Sequence, residues 1–169
     1  DGRVDLAIDW LVPESKGFHC LALFDDHAGL MARRDHPANK AKNIEDIVAQ
    51  HQFVAMHKRL LSFAQRFLPA PLLNIPAKQL LELSEHMEVL LTASRSERIA
   101  ILPRSLVILA RETFGLELLK LSLVSKGFPV NLVWHNNRDS DPAHAFLRAQ
   151  LTSAFRQFAH STMTDLQTD

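Results

Sequence analysis

The stretch "WHNNRDSDPAHAFLRAQL" (Trp134–Leu151) contains the end of a strand, a polar loop and the start of a helix. The residues that lead into it, "FPVNLVW" (Phe128–Trp134), are rich in β-branched and aromatic side chains, a pattern typical of a strand. The loop ends at Asp141, whose carboxylate can accept from the free N–H groups of a helix start, and Pro142 suits the first helical position because it has no N–H to satisfy. Downstream, apolar residues recur at helical spacing on one face, at Leu147, Leu151, Ala154, Phe155 and Phe158. A strand followed directly by an amphipathic helix predicts an α/β fold in which this helix packs on a sheet.

The rest of the chain alternates between strand and helix patterns. Strands are predicted at 4–10, 18–26, 29–35, 52–57, 77–83, 98–103 and 116–123, and helices at 44–50, 57–67, 85–94 and 104–114. The first strand is expected to be buried and parallel to its neighbours. Asn43 and Ser84 are the predicted caps of two helices, and Gly115 is the predicted end of a third. The alternation between about residues 50 and 115 predicts a parallel sheet with helices on its faces.

Composition limits the classes of function. The chain of 169 residues suits one domain or two small lobes, and 47% of its residues are hydrophobic, so it can bury a core. Lys and Arg total 19 and so do Asp and Glu, which argues against a wide phosphate-binding face on this chain. No apolar stretch reaches the roughly 18–20 residues that a membrane span needs. The opening "DGRVDLAIDW" has neither an initiating methionine nor a signal peptide, and we expect the sequence to be a fragment or a processed domain.

Cysteine and histidine usage predicts neither a metal nor a covalent catalyst. The single cysteine, Cys20, cannot form an internal disulfide, which fits a reducing compartment, and its apolar surroundings predict a buried thiol. None of the nine histidines has the His-x3-His spacing that places two imidazoles on one helical face. We expect His36 to be exposed in a linker, and His135 and His144 to form loop hydrogen bonds around the last helix start. No cofactor is expected, because no glycine-rich phosphate motif is present.

Four segments, taken in order, resemble one known family. "DGRVDLAI", then "RRDHP" after about 25 residues, then "RIAILPRSLV" and finally "WHNNRDSDPAHAFLRAQL" look like the C-terminal effector-binding domain of LysR-type transcriptional regulators. The Trp-His, Asp-Pro-Ala-His and Leu-Arg pattern near the end is most similar to the nodulation and aromatic-degradation branch. Each motif alone is only a strand or cap signal, whereas four in this order are more specific.

The resemblance implies a fold like that of type II periplasmic binding proteins, with two α/β lobes, two crossover strands and a ligand cleft between the lobes. Residues 1–34 and 131–169 would form a truncated lobe I with the crossover strands, and residues 35–130 would form lobe II. The winged helix-turn-helix domain of the family, its linker helix and roughly the first 50 residues of the effector domain would be absent. The resemblance implies an isologous dimer in which the helix near Leu60–Phe67 and the strand near Ala77–Leu83 pair head-to-tail with lobe I of a second chain. Since much of that partner surface on lobe I would be absent, the fragment alone would dimerise weakly.

The function implied is that of a cytoplasmic sensing and dimerisation module, without catalytic activity. A small organic effector, of an aromatic or carboxylate-bearing kind, would bind between the lobes and control DNA binding by the absent domain. A homodimer or homotetramer is implied for the full-length protein. An alternative of the same fold is the solute-binding receptor of a transporter. A third, an enzyme of similar topology such as a deaminase, would need an acid–base pair, and the sequence offers no convincing one.

The predicted effector contacts follow from parallel-sheet geometry. The C-terminal ends of parallel strands lie along one edge, where helix starts direct their N–H groups into a crevice. His57, Lys58 and two helix starts would supply donors, and Glu85 would supply an acceptor. The predicted contacts are Asp9, Trp10, Met56, His57, Lys58, Ser84, Glu85, His86, Ile101 and Leu102. The same pattern also fits a solvated helix start at Lys58, a plain helix cap at Ser84, and a core-filling role for Trp10 and Met56.

Overall fold

A computed structural model describes residues 4–10, 12–13, 15–57, 66–121 and 126–168, with side chains described as far as residue 161. The chain divides into two compact units. The terminal unit comprises Asp1–Asp26 and Phe128–Asp169, and the central unit comprises His27–Gly127. The central unit therefore includes the strand at 28–33, which the boundaries predicted from the sequence place in lobe I.

The central unit is a five-stranded sheet with helices. Its strands are β3 (Ala28–Arg33), β4 (Gln52–Met56), β5 (Leu80–Leu83), β6 (Arg98–Pro103) and β7 (Leu116–Leu118), in the order β5-β4-β6-β3-β7. Its described helices are α1 (Ile44–Gln50), α2 (Ala70–Leu73), α3 (His86–Ser94) and α4 (Val107–Phe114), with short 3₁₀ turns at Pro37–Lys40, Ala77–Gln79 and Arg104–Leu106. The predicted parallel pairing holds for β5-β4-β6, whereas β3 is antiparallel to both β6 and β7, so the sheet is mixed.

The core of the central unit follows from its strands. β4 and β6 lie inside the sheet, and their apolar runs are buried on both faces, as expected for strands covered on two sides. Phe53, Ile99 and Leu30 are fully buried in one cluster, to which Ile47 of α1 contributes. Burying a Phe, Leu or Ile side chain stabilises a fold by about 1.5–3 kcal/mol, so this cluster fixes the positions of the strand ends.

The terminal unit is a smaller sheet with one long helix. β1 (Leu6–Asp9), β2 (Phe18–Asp26) and β8 (Phe128–His135) pair in the order β1-β8-β2, and both pairings are antiparallel. A 3₁₀ turn at Asn136–Arg138 leads to α5 (Pro142–Thr168). The predicted helix start is confirmed, because Asp141 Oδ1 accepts from the N–H groups of Ala143 and His144 at 3.0 and 3.2 Å. These N–H bonds hold the pKa of the Asp141 carboxyl below its usual value.

Two other helix boundaries behave as the sequence predicts. Asn43 Oδ1 accepts from the N–H of Asp46 at 2.8 Å and caps α1. Gly115 ends α4 in the left-handed conformation, at φ 64°, which glycine adopts without the steric cost that a Cβ brings.

Several predictions about strands are wrong in detail. The expected buried parallel strand at 4–10 is the four-residue antiparallel β1, in which Ile8 is 37% exposed. Composition does not encode strand direction, which depends on the connections of the whole chain. The first three residues of the strand predicted at 77–83 form a 3₁₀ turn instead. Within the stretch predicted as a strand at 116–123, the structure describes a strand at Leu116–Leu118. The helix predicted at 57–67 lies largely outside the described residues.

Two burial predictions are reversed. Cys20 is exposed, because β2 is an edge strand whose first residues face solvent. His36 is only 2% exposed, because its ring caps the 3₁₀ turn that follows: Nδ1 accepts from the N–H of Ala38 at 3.1 Å, and Nε2 lies 3.2 Å from the carbonyl oxygen of Glu97. Since Nδ1 is an acceptor, the proton of the neutral ring is on Nε2, which donates to Glu97.

The last helix packs less completely than predicted. Phe155 is half-buried and stacks on Phe24 of β2, with ring centroids 6.3 Å apart, and Phe158 packs edge-on against the same ring. Leu151 is also half-buried, whereas Leu147 is 44% exposed. The expectation that all of Leu147, Leu151 and Phe155 are buried is therefore wrong for Leu147. The aromatic rings place the helix on β2, in the unit that also contains Val4–Ile8.

Candidate ligand-binding site

The C-terminal ends of three parallel strands lie side by side in the central unit. Met56 of β4 is in register with Leu83 of β5, and Ala55 of β4 is in register with Ile101 of β6. This register brings the predicted contacts Met56, Ile101 and Leu102 to one edge of the sheet. All three side chains are buried, at 9%, 6% and 3% exposure, so they belong to the core of the central unit as well as to this edge. For Met56, this agrees with the alternative interpretation of a core-filling role.

The residue after β4 is the polar group nearest to this edge. His57 is exposed, and its N–H donates to the carbonyl oxygen of Leu83 at 2.8 Å, which extends the β4–β5 pairing by one bond. The backbone of His57 is therefore held in place while its imidazole is accessible. Lys58, the next predicted contact, lies outside the described residues.

The junction between β5 and α3 differs from the sequence prediction. The cap of α3 is Glu85 rather than Ser84, and Glu85 and Glu88 form a reciprocal capping box. Glu88 Oε2 accepts from the N–H groups of Ser84 and Glu85 at 3.2 and 3.3 Å. Ser84 loses the capping role because the chain enters the helix one residue later than its serine signal indicates.

This capping box changes the electrostatics of the edge. The Glu85 and Glu88 carboxylates accept hydrogen bonds from N–H groups at the start of α3 that were predicted to bind the effector. Partial desolvation lowers the pKa of the exposed His86 imidazole, and the nearby charge of Glu85 opposes that effect. The edge therefore presents imidazoles and a hydroxyl beside two carboxylates, rather than a bare helix start that favours anions.

Asp9 is the last residue of β1 in the terminal unit, and Trp10 follows it. Both are half-buried, and the Trp10 ring lies 5.8 Å from that of Phe128, tilted by 53°. Asp9 is in register with Asn131 of β8, which is buried. The sheet thus brings Asp9 and Trp10 together at the end of β1. They belong to a different unit from the eight other predicted contacts.

A polar network in the terminal unit was not predicted. Asp139 accepts from Trp134 Nε1 at 2.7 Å and lies 2.7 Å from His19 Nε2. The hydrogen bond from Trp134, with smaller contributions from His19 and Arg148, holds the pKa of Asp139 below its usual value. Local patterns predicted the strand end at Trp134 and the turn that contains Asp139, but 120 positions separate His19 from Asp139, and no local pattern joins them.

The last helix adds a second part to this network. The guanidinium of Arg148 lies 4.8 Å from the centre of the Trp134 ring and donates to His144 Nδ1 at 2.6 Å. Since a guanidinium can only donate, His144 is neutral there and its Nε2–H donates to the carbonyl oxygen of Asp5 at 3.1 Å. The predicted hydrogen bonds of His135 and His144 are confirmed, for His135 through Nδ1, which accepts from the N–H of Asn137 at 3.2 Å.

Two negative findings apply to the described residues. No group of three or more His, Cys, Asp or Glu side chains there is arranged to hold a metal ion. Among the helices of the same residues, none is both long enough and apolar enough to cross a membrane.

Comparison with known proteins places the chain in a family. The model of the LysR substrate binding domain matches residues 1–156. The HTH-type transcriptional regulator LeuO of Escherichia coli (strain K12) is 28% identical over 137 residues, which are 80% of this chain and 43% of LeuO. The chain thus spans less than half the length of this curated relative.

Solved structures agree on the fold. A putative transcriptional regulator from Vibrio parahaemolyticus superposes with a TM-score of 0.70 at 19% identity, covering 95% of this chain and 73% of that one. The regulatory domain of CrgA from Neisseria meningitidis gives 0.65 at 17% identity, covering 92% and 75%. A probable transcriptional regulator from Pseudomonas aeruginosa gives 0.63 at 23% identity, covering 89% and 49%.

The predicted fold class, α/β and like type II periplasmic binding proteins, is confirmed by these neighbours. The relatives are regulators, which favours the regulator over the transporter receptor. The chain belongs to the LysR substrate-binding domain family, the effector-binding domains of LysR-type transcriptional regulators.

Proposed function

We propose that this chain senses a small organic effector for a cytoplasmic bacterial regulator and has no catalytic activity of its own. The observation that carries the proposal is the family match over residues 1–156. The terminal unit and the central unit would correspond to lobes I and II. Effector binding would change the DNA binding of a winged helix-turn-helix domain elsewhere in the regulator, provided that the effector binds two arrangements of the domain with different affinity.

The proposed effector contacts are the strand ends described above: Asp9, Trp10, Met56, His57, Lys58, Ser84, Glu85, His86, Ile101 and Leu102. Within the central unit, the exposed His57, Ser84 and His86 lie at the same edge as the buried apolar strand ends, which is the mixture expected for a partly polar organic ligand. An aromatic ring with a hydroxyl or carboxyl group fits this mixture, in line with the aromatic-degradation branch that the sequence resembles. The carboxylates of Glu85 and Glu88 favour a hydroxyl over a carboxylate at the α3 end, because two anions repel at short range.

The proposed self-association uses an edge of the central sheet. Among the described strands, β5 lies at one edge of the sheet, and Leu81 on it is 37% exposed, so within the described part of the chain β5 presents an unpaired backbone edge and an apolar side chain to a second copy. The helix near Leu60–Phe67, which the resemblance also assigns to the interface, lies largely outside the described residues. We expect Leu81→Arg to weaken the dimer of the full-length regulator in sedimentation, and Leu109→Arg, at a similarly exposed leucine of α4, to leave it intact.

A ligand screen tests the sensing function. A compound at 100 times its Kd raises the stability of the folded chain by about 2.7 kcal/mol, which thermal shift detects. Among phenols, aromatic acids and their amides, we expect at least one to raise the Tm of the wild-type chain, and His57→Ala or Ser84→Ala to reduce that shift. Thr113→Ala, an exposed hydroxyl on α4, is the matched control and should keep the full shift. If both site variants keep full affinity for a compound that binds the chain, the assignment to the strand ends is wrong.

A further inference from the structure

An open cavity lies at the surface of the terminal unit. The cavity, here called the helix groove, has a volume of about 500 Å³ and lies between the β2–β8 sheet and one side of α5. Leu21, Trp134 and Ala149 supply apolar walls, and Arg148, Thr152 and Arg156 supply polar ones. A volume of this size accommodates a small organic molecule. None of the predicted effector contacts lines it.

The charged residues that line the helix groove are all positive. Two arginines line it, and none of its lining residues is acidic. Arg148 donates to the carbonyl oxygens of Arg138 and Asp139 and to His144 Nδ1, all of which are neutral acceptors. The Asp139 carboxylate, which accepts from Trp134 and His19, also interacts with Arg148 through charge, but among the described side chains the two form no ion pair. The positive charge of Arg148 is therefore only partly offset by the protein.

Arg156 adds a cation whose hydrogen-bonding groups are available. It lies two turns after Arg148 on the same side of α5 and is exposed. Among the side chains that the structure describes, no carboxylate pairs with Arg156. Its planar fork of N–H donors matches a carboxylate, which it can bind through two parallel hydrogen bonds. Arg148 is fixed in place by its contacts, whereas Arg156 is positioned to bind a ligand.

We propose that the helix groove is a binding site for a small organic carboxylate, distinct from the effector site at the strand ends. The apolar body of the ligand would pack on Leu21, Ala149 and the accessible part of Trp134. Its carboxylate would accept from Arg156, in the positive field of Arg148. The two sites favour different ligands, because carboxylates crowd the α3 end of the effector site while the groove lining has none. This proposal does not depend on the effector assignment.

The test uses benzoate as the probe and Trp134 as the reporter. The chain has two tryptophans, so Trp10→Phe leaves Trp134 as the single emitter. We expect benzoate to change this emission saturably, and calorimetry on the unaltered chain to give the same Kd. Arg156→Gln should raise the Kd by about tenfold or more, which is the loss expected for charge-assisted hydrogen bonds. Arg95→Gln, an exposed arginine of the central unit, is the matched control and should leave the Kd unchanged.

Three results would overturn the proposal. One is the absence of saturable binding in both fluorescence and calorimetry. Another is binding that Arg156→Gln leaves intact, or that His57→Ala or Ser84→Ala abolishes, because benzoate would then occupy another site. The third is equal affinity for the neutral benzamide, which would show that the groove does not select an anion. A Trp10→Phe chain that fails to fold leaves the calorimetric comparison of Arg156→Gln and Arg95→Gln to decide.

Discussion

Replacing Phe155 by Ala tests how firmly α5 is held to the sheet of the terminal unit. Removing a fully buried Phe side chain costs about 3–5 kcal/mol, and this side chain is half-buried, so we expect a loss of about 1.5–2.5 kcal/mol. The loss of its stacking on Phe24 and its edge contact with Phe158 is part of that sum, since aromatic pairs contribute about 0.5–1.5 kcal/mol each. With a urea m-value of about 2 kcal/mol/M, the midpoint should fall by about 1 M.

The tryptophans make the assay specific to the terminal unit. Trp10 and Trp134 both belong to it, and the central unit has no tryptophan, so the fluorescence transition in urea reports the unit that α5 stabilises. Phe146→Ala is the matched control on the same helix, because Phe146 is 68% exposed, and it should shift the free energy of unfolding by less than about 0.5 kcal/mol. A loss below about 0.5 kcal/mol for Phe155→Ala, or equal losses for the two variants, would refute the packing described for this helix.

Variants at three further positions test local features of the central unit by urea unfolding followed with circular dichroism. Asn43→Ala removes the cap of α1 and should cost about 1 kcal/mol, whereas Asn43→Asp should retain most of it. Gly115→Ala should cost about 1–2 kcal/mol from the backbone alone, because φ is 64° and the added Cβ meets no atom within 4 Å; no loss would contradict the left-handed cap. Burial lowers the pKa of His51, so its contribution to stability is full above about pH 6.5 and is lost as the pH falls through the folded-state pKa. His51→Asn should flatten the profile between pH 7 and 5.5, and an unchanged profile would exclude His51 as its source.

Short sequence patterns predicted the helix starts and ends that depend on neighbouring residues. The helix starts at Asn43 and Asp141 and the helix end at Gly115 each depend on bonds or dihedral angles within a few residues, and all three are confirmed. The predicted strands at 18–26, 52–57 and 98–103 are confirmed within one residue for the same reason. Ser84 shows the limit of such local signals. Ser84 and Glu85 follow one another, and either can cap α3; the reciprocal hydrogen bonds between Glu85 and Glu88 make Glu85 the cap.

Features that depend on distant residues could not be predicted. The direction of β1 is set by β8, which lies more than 120 residues later in the chain, and the burial of His36 is set by Glu97. The exposure of Cys20 follows from the edge position of β2, which no property of its own apolar segment encodes. The same holds for the helix groove, since Leu21 and Arg156 meet only when the sheet and α5 are assembled.

At the proposed effector site, the capping box separates support of the α3 helix start from contact with the ligand. Since Glu85 and Glu88 cap α3, the Ser84 hydroxyl is not part of the cap, and Ser84→Ala should change the free energy of unfolding by less than about 0.5 kcal/mol. Glu88→Ala removes the carboxylate that accepts from the N–H groups of Ser84 and Glu85, and should cost about 1 kcal/mol. Urea unfolding of both variants measures the difference. An equal loss in the two would mean that Ser84 supports the helix after all, and a weaker effector response in Ser84→Ala could then be a consequence of a disturbed helix start. If Ser84→Ala is as stable as the wild type, its effector affinity reports contact with the ligand alone.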